Sequence, residues 1–203
     1  MKNKYQFFFL IAGIALLFSC NNVDELKIPA YLDWVNDPTN GLKVAKELND
    51  YKFELFYKPV EFVAIKEQRK TDIDTALYHQ RITELNGLQY YTLRIETLIG
   101  QEMMRTGIGS EQDYSNRLQY FSDLAQYDMR LIDGSDTLSC VLFHFERNYG
   151  VAPYNNIVLG FPKTEGNTNS KTFIFDEQVL GVGRVNLKIA NTDINNIPKV
   201  ILI

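Results

Sequence analysis

The chain has 203 residues, 45% of them hydrophobic, with 12 Tyr and 13 Phe, so a packed core is expected and disorder is excluded. The formal net charge is −4 and the Lys and Arg residues are scattered, which argues against nucleic acid, because counterion release needs a concentrated basic face, and equally against a basic contact with anionic lipid. Two cysteines, Cys20 and Cys140, are too few for a disulfide framework.

Met1-Lys2-Asn3-Lys4 is a short basic start, Phe7 to Phe18 is an unbroken run of apolar residues and Gly, and Leu17-Phe18-Ser19-Cys20 closes it. The run is too short to cross a bilayer, where a helix needs about 20 residues. Its layout is that of an export signal. These residues resemble a bacterial lipoprotein signal: Leu stands three places before the cysteine and a small residue directly before it, with Phe18 bulkier than the usual residue between. The resemblance implies that residues 1–19 are cleaved and that Cys20, as the new first residue, carries palmitate and related acyl chains. Each buried methylene contributes roughly 0.8 kcal/mol, and two chains already hold durably. Asn21, where Asp would favour inner-membrane retention, implies the outer membrane; its periplasmic side and the cell surface both stay open. Cleavage removes Lys2 and Lys4, leaving 184 residues with 19 bases against 25 acids, a net charge of −6. With Cys20 acylated, Cys140 has no disulfide partner.

Residues 20–30 read as a lipidated tether and 31–203 as one globular domain. Asn36 to Gly41 is a dense turn cluster. Leu42–Leu48 and Tyr51–Lys58 flank Asn49-Asp50 as a hairpin, with Tyr51, Phe53, Leu55 and Tyr57 on one face. Residues 60–69 read equally as helix or strand. Thr71 with Asp74 resembles a capping box, opening a helix with an apolar stripe of Ile73, Leu77, Ile82 and Leu85 that stops at Gly87. Leu88–Thr97 is a strand with Tyr91, Leu93 and Ile95 inward. A loop over 100–109 precedes a second helix, started by Ser110 with Asp113, whose Tyr114, Leu118, Phe121 and Ala125 share a side. Met129–Ile132 and Thr137–Arg147 form a hairpin across Asp133-Gly134-Ser135-Asp136. Because both faces of the longer run are apolar over 140–145, it reads as a central strand covered on each side. Strands follow at 157–161, 172–175 and 184–190, with a helical turn at 193–197 and a last strand at 199–203. The class is α+β, a mostly antiparallel sheet with about two packed helices and a β-rich C-terminal half.

Chemical motifs are sparse. Cys140 and His144 are four residues apart on a strand, about 13 Å, so they share a face without touching. His144 and Glu146 have metal-pair spacing, yet His79 is the only other histidine, and no metal or cofactor is expected. Asp72 and Asp74 suit a helix start. Gly107-Ile108-Gly109-Ser110 and Gly181-Val182-Gly183 lack the Lys-Ser/Thr of a phosphate loop and read as turns. The segment 148–156 mixes Tyr149 and Tyr154 with amides, chemistry suited to stacking on a sugar or peptide, and Trp34 offers a similar surface. The expectation is a non-catalytic envelope lipoprotein, anchored through Cys20, that binds another envelope protein or a polymer. A hydrolase of envelope polysaccharide or peptide, or a small-ligand carrier, are the alternatives.

Overall fold

The computed structural model describes residues 25–70, 72–164 and 170–202. Cys20 with its signal, and Thr71, lie outside them. The chain folds as α+β in three layers. Lys43–Leu48 (β2), Tyr51–Lys58 (β3), Leu88–Thr97 (β4), Tyr154–Pro162 (β8) and Leu142–Glu146 (β7) form an antiparallel sheet in the order β2-β3-β4-β8-β7. Met129–Asp133 (β5), Asp136–Ser139 (β6), Lys171–Asp176 (β9) and Arg184–Ile189 (β10) form a second, ordered β10-β9-β5-β6. The outer face of the five-stranded sheet carries three helices, Ile28–Asn36 (α1), Val60–Gln68 (α2) and Thr75–Leu85 (α3). A short parallel pair, Glu25–Lys27 (β1) with Lys199–Ile201 (β11), ties the first described residues to the last.

Period-two alternation decides which side of each strand is buried. Phe53 and Leu55 on β3, Tyr91, Leu93 and Ile95 on β4, and Ile157, Leu159 and Phe161 on β8 all point at the four-stranded sheet and are buried. They meet Leu131, Phe173, Phe175, Val185 and Leu187 from the other side. Each such side chain contributes roughly 1.5–3 kcal/mol on burial. A smaller cluster, including Tyr31, Val35, Phe62, Ile65, Tyr78 and Tyr90, joins the helices to the sheet's outer face.

The Ser110 cap is as the local sequence predicts, whereas α3 begins at Thr75, so that Asp74, expected three residues into a helix opened at Thr71, is itself the N-cap, and Ile73, expected on the helix stripe, precedes the helix. Asp74 accepts from Leu77 N at 3.0 Å, and Ser110 accepts from Asp113 N at 3.1 Å at the head of Glu111–Gln119 (α4). Such caps contribute about 1 kcal/mol. Past Gln119 the chain tightens into a π turn and a 3₁₀ turn that seat Phe121 and Ala125 in the core. Residues 60–69, open in the sequence, form a helix. Leu77, expected on the buried stripe, is 41% exposed, and Tyr78 takes the inward position.

The long run Thr137–Arg147 is not one central strand. It breaks at Cys140 and Val141, and its halves are edge strands of different sheets, β6 and β7. Its apolar residues fall on both faces because the chain changes sheets there, with Val141 N donating to Gly160 O at 2.9 Å. Cys140 sits in this crossover, half-buried, its thiol donating to Leu142 O and its pKa raised by burial.

A buried polar junction pins the sheets together. Asp133 accepts from Lys171 Nζ at 2.6 Å, Thr164 Oγ1 at 2.7 Å and Gln89 Nε2 at 2.9 Å, and Gln89 Oε1 accepts from the Tyr91 hydroxyl. Burial alone would raise the Asp133 carboxyl, but the bonds from Lys171, Thr164 and Gln89 outweigh it and hold the group below its ordinary value.

Candidate functional site

The most exposed apolar chemistry lies where β4 ends and β8 begins. Glu96 pairs with Tyr154, and Thr97 N donates to Pro153 O at 3.1 Å, so the loops after Thr97 and before Tyr154 lie side by side. In the second loop Asn148 acts as an internal brace. Its Oδ1 accepts from Gly150 N at 3.0 Å, while its Nδ2 donates to Ala152 O at 2.8 Å and to Tyr154 O. Tyr149 and Gly150 are both left-handed, with φ of 52° and 81°. Tyrosine adopts that conformation only where its surroundings impose it, and here the Asn148 brace supplies the constraint. The result aims Tyr149 and Val151 into solvent, 77% and 88% exposed.

The first loop contributes Leu98 and Ile99, 48% and 51% exposed. Leu98 N donates to Asp50 O at 2.8 Å, so its backbone is fixed to the β2–β3 turn. A Cβ added at Gly150 would stand 3.3 Å from Glu102 Oε2, which places the two loops in contact. Behind them Arg117 is buried and donates to the carbonyls of Met103, Thr106 and Val179, locking the loop to α4.

Guanidinium groups cover the tyrosine rings. Arg147 lies 4.7 Å from the Tyr149 centroid and donates to the Tyr114 hydroxyl at 3.0 Å, and Arg105 lies 4.4 Å from the Tyr114 ring. Arg94 lies 4.1 Å from the Tyr154 ring and donates to Asn156 Oδ1, whose Nδ2 donates to Glu146 Oε2. Each such contact contributes about 0.5–1 kcal/mol at a solvated site. Tyr149 and Tyr154 therefore belong to one loop pair, the first presented to solvent and the second half-buried under Arg94. Trp34 stands apart in α1, packed against the helix cluster.

Composition points to segment 148–156, but Leu98 and Ile99 were missed. Their signal is the end of alternation: Thr97 is inward and buried, so Leu98 faces out, and Gly100 turns the chain before Ile99 can re-enter the sheet. His79 is exposed on α3 and His144 exposed on β7. Among the described residues no three His, Cys, Asp or Glu side chains gather where a metal could be held. Gly107, Gly181 and Gly183 lie in turns with positive φ, as expected. No family model, curated protein or solved structure matches this chain.

Proposed function

We propose that this protein is an envelope lipoprotein, held to the outer membrane through acylated Cys20, whose body is a non-catalytic accessory subunit that binds another envelope protein through its strand-end loops. One observation carries the binding role: Leu98, Ile99, Tyr149 and Val151 are exposed together on backbone that the fold holds still. Contiguous exposed apolar side chains mark interaction sites, aromatic anchors dominate interface energies, and a braced loop loses little entropy on binding.

A protein partner fits better than a sugar polymer. Sugar recognition through amides needs them exposed and free, yet Asn148 spends its side chain on its own loop, Asn156 spends its own on Arg94 and Glu146, and Asn155 is buried with its Nδ2 on Glu146 O. The four exposed apolar side chains ask instead for an apolar counter-surface.

Two measurements test the proposal. Palmitate labelling in cells is expected for the wild type and not for Cys20→Ala, with labelled protein in the outer-membrane fraction. A photo-crosslinker at position 149 or 151 is expected to trap a defined protein adduct that one at position 188, on β10, does not. If Tyr149→Ala with Val151→Asp left every co-purifying protein in place at wild-type yield, the loops would not be the binding surface.

A further inference from the structure

The helix layer gathers what the sequence scatters. An open groove of about 750 Å³ runs between α1 and α2, with Ile28, Leu32 and Ile65 along its floor and Lys66, Arg69 and Lys70 along its rim. Lys66 and Arg69 also line the neighbouring cleft with Lys58. Burial lowers the Lys58 ammonium; Glu146 raises it, and Lys43 and Lys66 lower it further, as expected where cations crowd one another. Of the two acids in α2, Glu61 lies in the first turn, at the far end from Lys66, Arg69 and Lys70, and Glu67 takes two bonds from Arg81, at 2.8 and 3.0 Å. Among the described residues, Lys66, Arg69 and Lys70 enter no ion pair. Gln68 bonds both ways to the Asp74 backbone and so fixes where the Arg69-Lys70 corner points.

This basic, apolar-floored surface opens where the folded body begins. β1 starts at Glu25 and α1 at Ile28, and Ile28 is itself part of the groove. Four residues lie between Cys20 and Glu25, five Cα steps that reach at most about 18 Å. An acyl chain on Cys20 would therefore hold the groove close to the lipid headgroups. Attraction over that gap depends on salt, since the Debye length is about 8 Å at physiological ionic strength. Without these three cations the mature chain has 16 bases against 25 acids, net −9, and would be repelled by an anionic surface, so the field favours a single face.

We infer that the α1–α2 face, with Lys66, Arg69 and Lys70 at its rim, docks on anionic phospholipid headgroups and sets the orientation of the body on the membrane. This inference rests on the lipid-anchor reading. The docked pose leaves the loops free, because Tyr90, in the wall of the basic cleft, is seven residues along β4 from Thr97, about 23 Å.

The test uses the mature chain from position 20 with Cys20→Ser. Both hydrophobic clusters are built from residues 26–202, so this form keeps the whole folded body without acyl chains. Co-sedimentation is measured with phosphatidylcholine vesicles, with and without about a quarter phosphatidylglycerol, at low and physiological salt. Binding is expected only with the anionic lipid, weakening as salt rises. Lys66→Gln, Arg69→Asn and Lys70→Gln together should reduce affinity roughly a hundredfold, at about fivefold per basic residue near the surface. Asn is chosen at 69 because it tolerates the left-handed backbone there. Lys46→Gln, Lys52→Gln and Lys188→Gln together change the net charge equally and should change affinity by no more than about twofold. Equal losses in the two triple variants, or no preference for phosphatidylglycerol, would overturn the inference. Palmitate labelling of the wild-type chain is scored separately: labelling with indifferent vesicles sinks the docking face alone, and vesicle binding without labelling sinks the anchor alone.

Discussion

At the strand ends, Tyr149 and Val151 project from backbone that Asn148 fixes, above the closed inter-sheet core. On the helix layer, Lys66, Arg69 and Lys70 project from helix ends backed by the smaller cluster. The first surface has shape, with its arginines laid over tyrosine rings; the second has charge on flexible stems and an apolar floor. A shaped surface suits a partner with its own fixed shape. A charged and adaptable one suits a fluid layer of headgroups, where only sign and area matter. Stiffness is thus placed where specificity is needed.

The largest expected effect tests whether both surfaces depend on one folding unit. Lys171→Met removes the ammonium that donates to Asp133 in a site where both side chains are almost fully buried, at a cost of about 3–5 kcal/mol. Guanidinium unfolding should show that loss at both sites together, read by Trp34 fluorescence on the helix layer and by protease sensitivity at Tyr149. Combining it with Asp133→Leu should restore part of the stability, because the buried charge is gone while Gln89 and Thr164 lose an acceptor. Acid adds a sign to the same test. The folded Asp133 carboxyl lies below its ordinary value, so its stabilisation is complete above an unfolded pKa of about 3.9 and fades as pH falls through the folded one. The double variant should lack that part of the acid slope.

Phe62→Ala should separate the two regions instead. Phe62 is buried in the helix cluster, edge-on to Phe56 at 5.6 Å, and its truncation should cost about 3 kcal/mol. Hydrogen exchange should rise in α1 and α2 while β5, β9 and β10 keep their protection. Vesicle preference should weaken, and loop crosslinking at position 149 should persist. Equal loss of protection throughout would mean that the two clusters melt as one.

How far each region could be read beforehand follows from the range of its contacts. The β2–β3 and β5–β6 hairpins, the Ser110 cap and the inward faces of β3 and β4 rest on neighbours in sequence, and they are legible. The sheet change at Cys140 is not, since an apolar run with two buried faces looks alike whether one strand is covered twice or two strands each face a different core. α1 left a usable signal: Ile28, Tyr31, Leu32 and Val35 have helical spacing, masked because residues 20–30 read as tether. Tyr149 stood out by composition, but its exposure depends on Asn148 turning inward upon its own loop. The basic face was invisible, because Glu67 stops cancelling Lys66 and Arg69 only once Arg81 arrives from α3.

Asn148→Ala should have a smaller and local effect. It removes hydrogen bonds to Gly150, Ala152 and Tyr154, worth about 1–2 kcal/mol in sum. Little of that should appear in global unfolding, because this loop can open by itself. Chymotrypsin cleavage after Tyr149 should accelerate about tenfold, and partner crosslinking should fall although every apolar contact residue is still present. Unchanged crosslinking would show that the loop binds by contact chemistry alone and that its bracing is incidental.

The smallest effect separates charge from stability on the helix layer. Arg69 caps α2 with φ of 51°, a left-handed conformation for a residue with a Cβ. Relief of that strain gains about 1–2 kcal/mol for glycine, of which the greater freedom of the unfolded chain returns about 0.4–1. Arg69→Gly should therefore stabilise the fold by about 0.5 kcal/mol while deleting one cation from the groove rim. Thermal unfolding should shift upward by a few degrees at most, and affinity for phosphatidylglycerol vesicles should fall about fivefold. The opposite signs matter, because a variant that is firmer yet binds less cannot owe its lost binding to a loosened helix layer. Should firmness and affinity rise together, the groove would be recognising membranes by shape, and its contrast with the strand-end loops would fail.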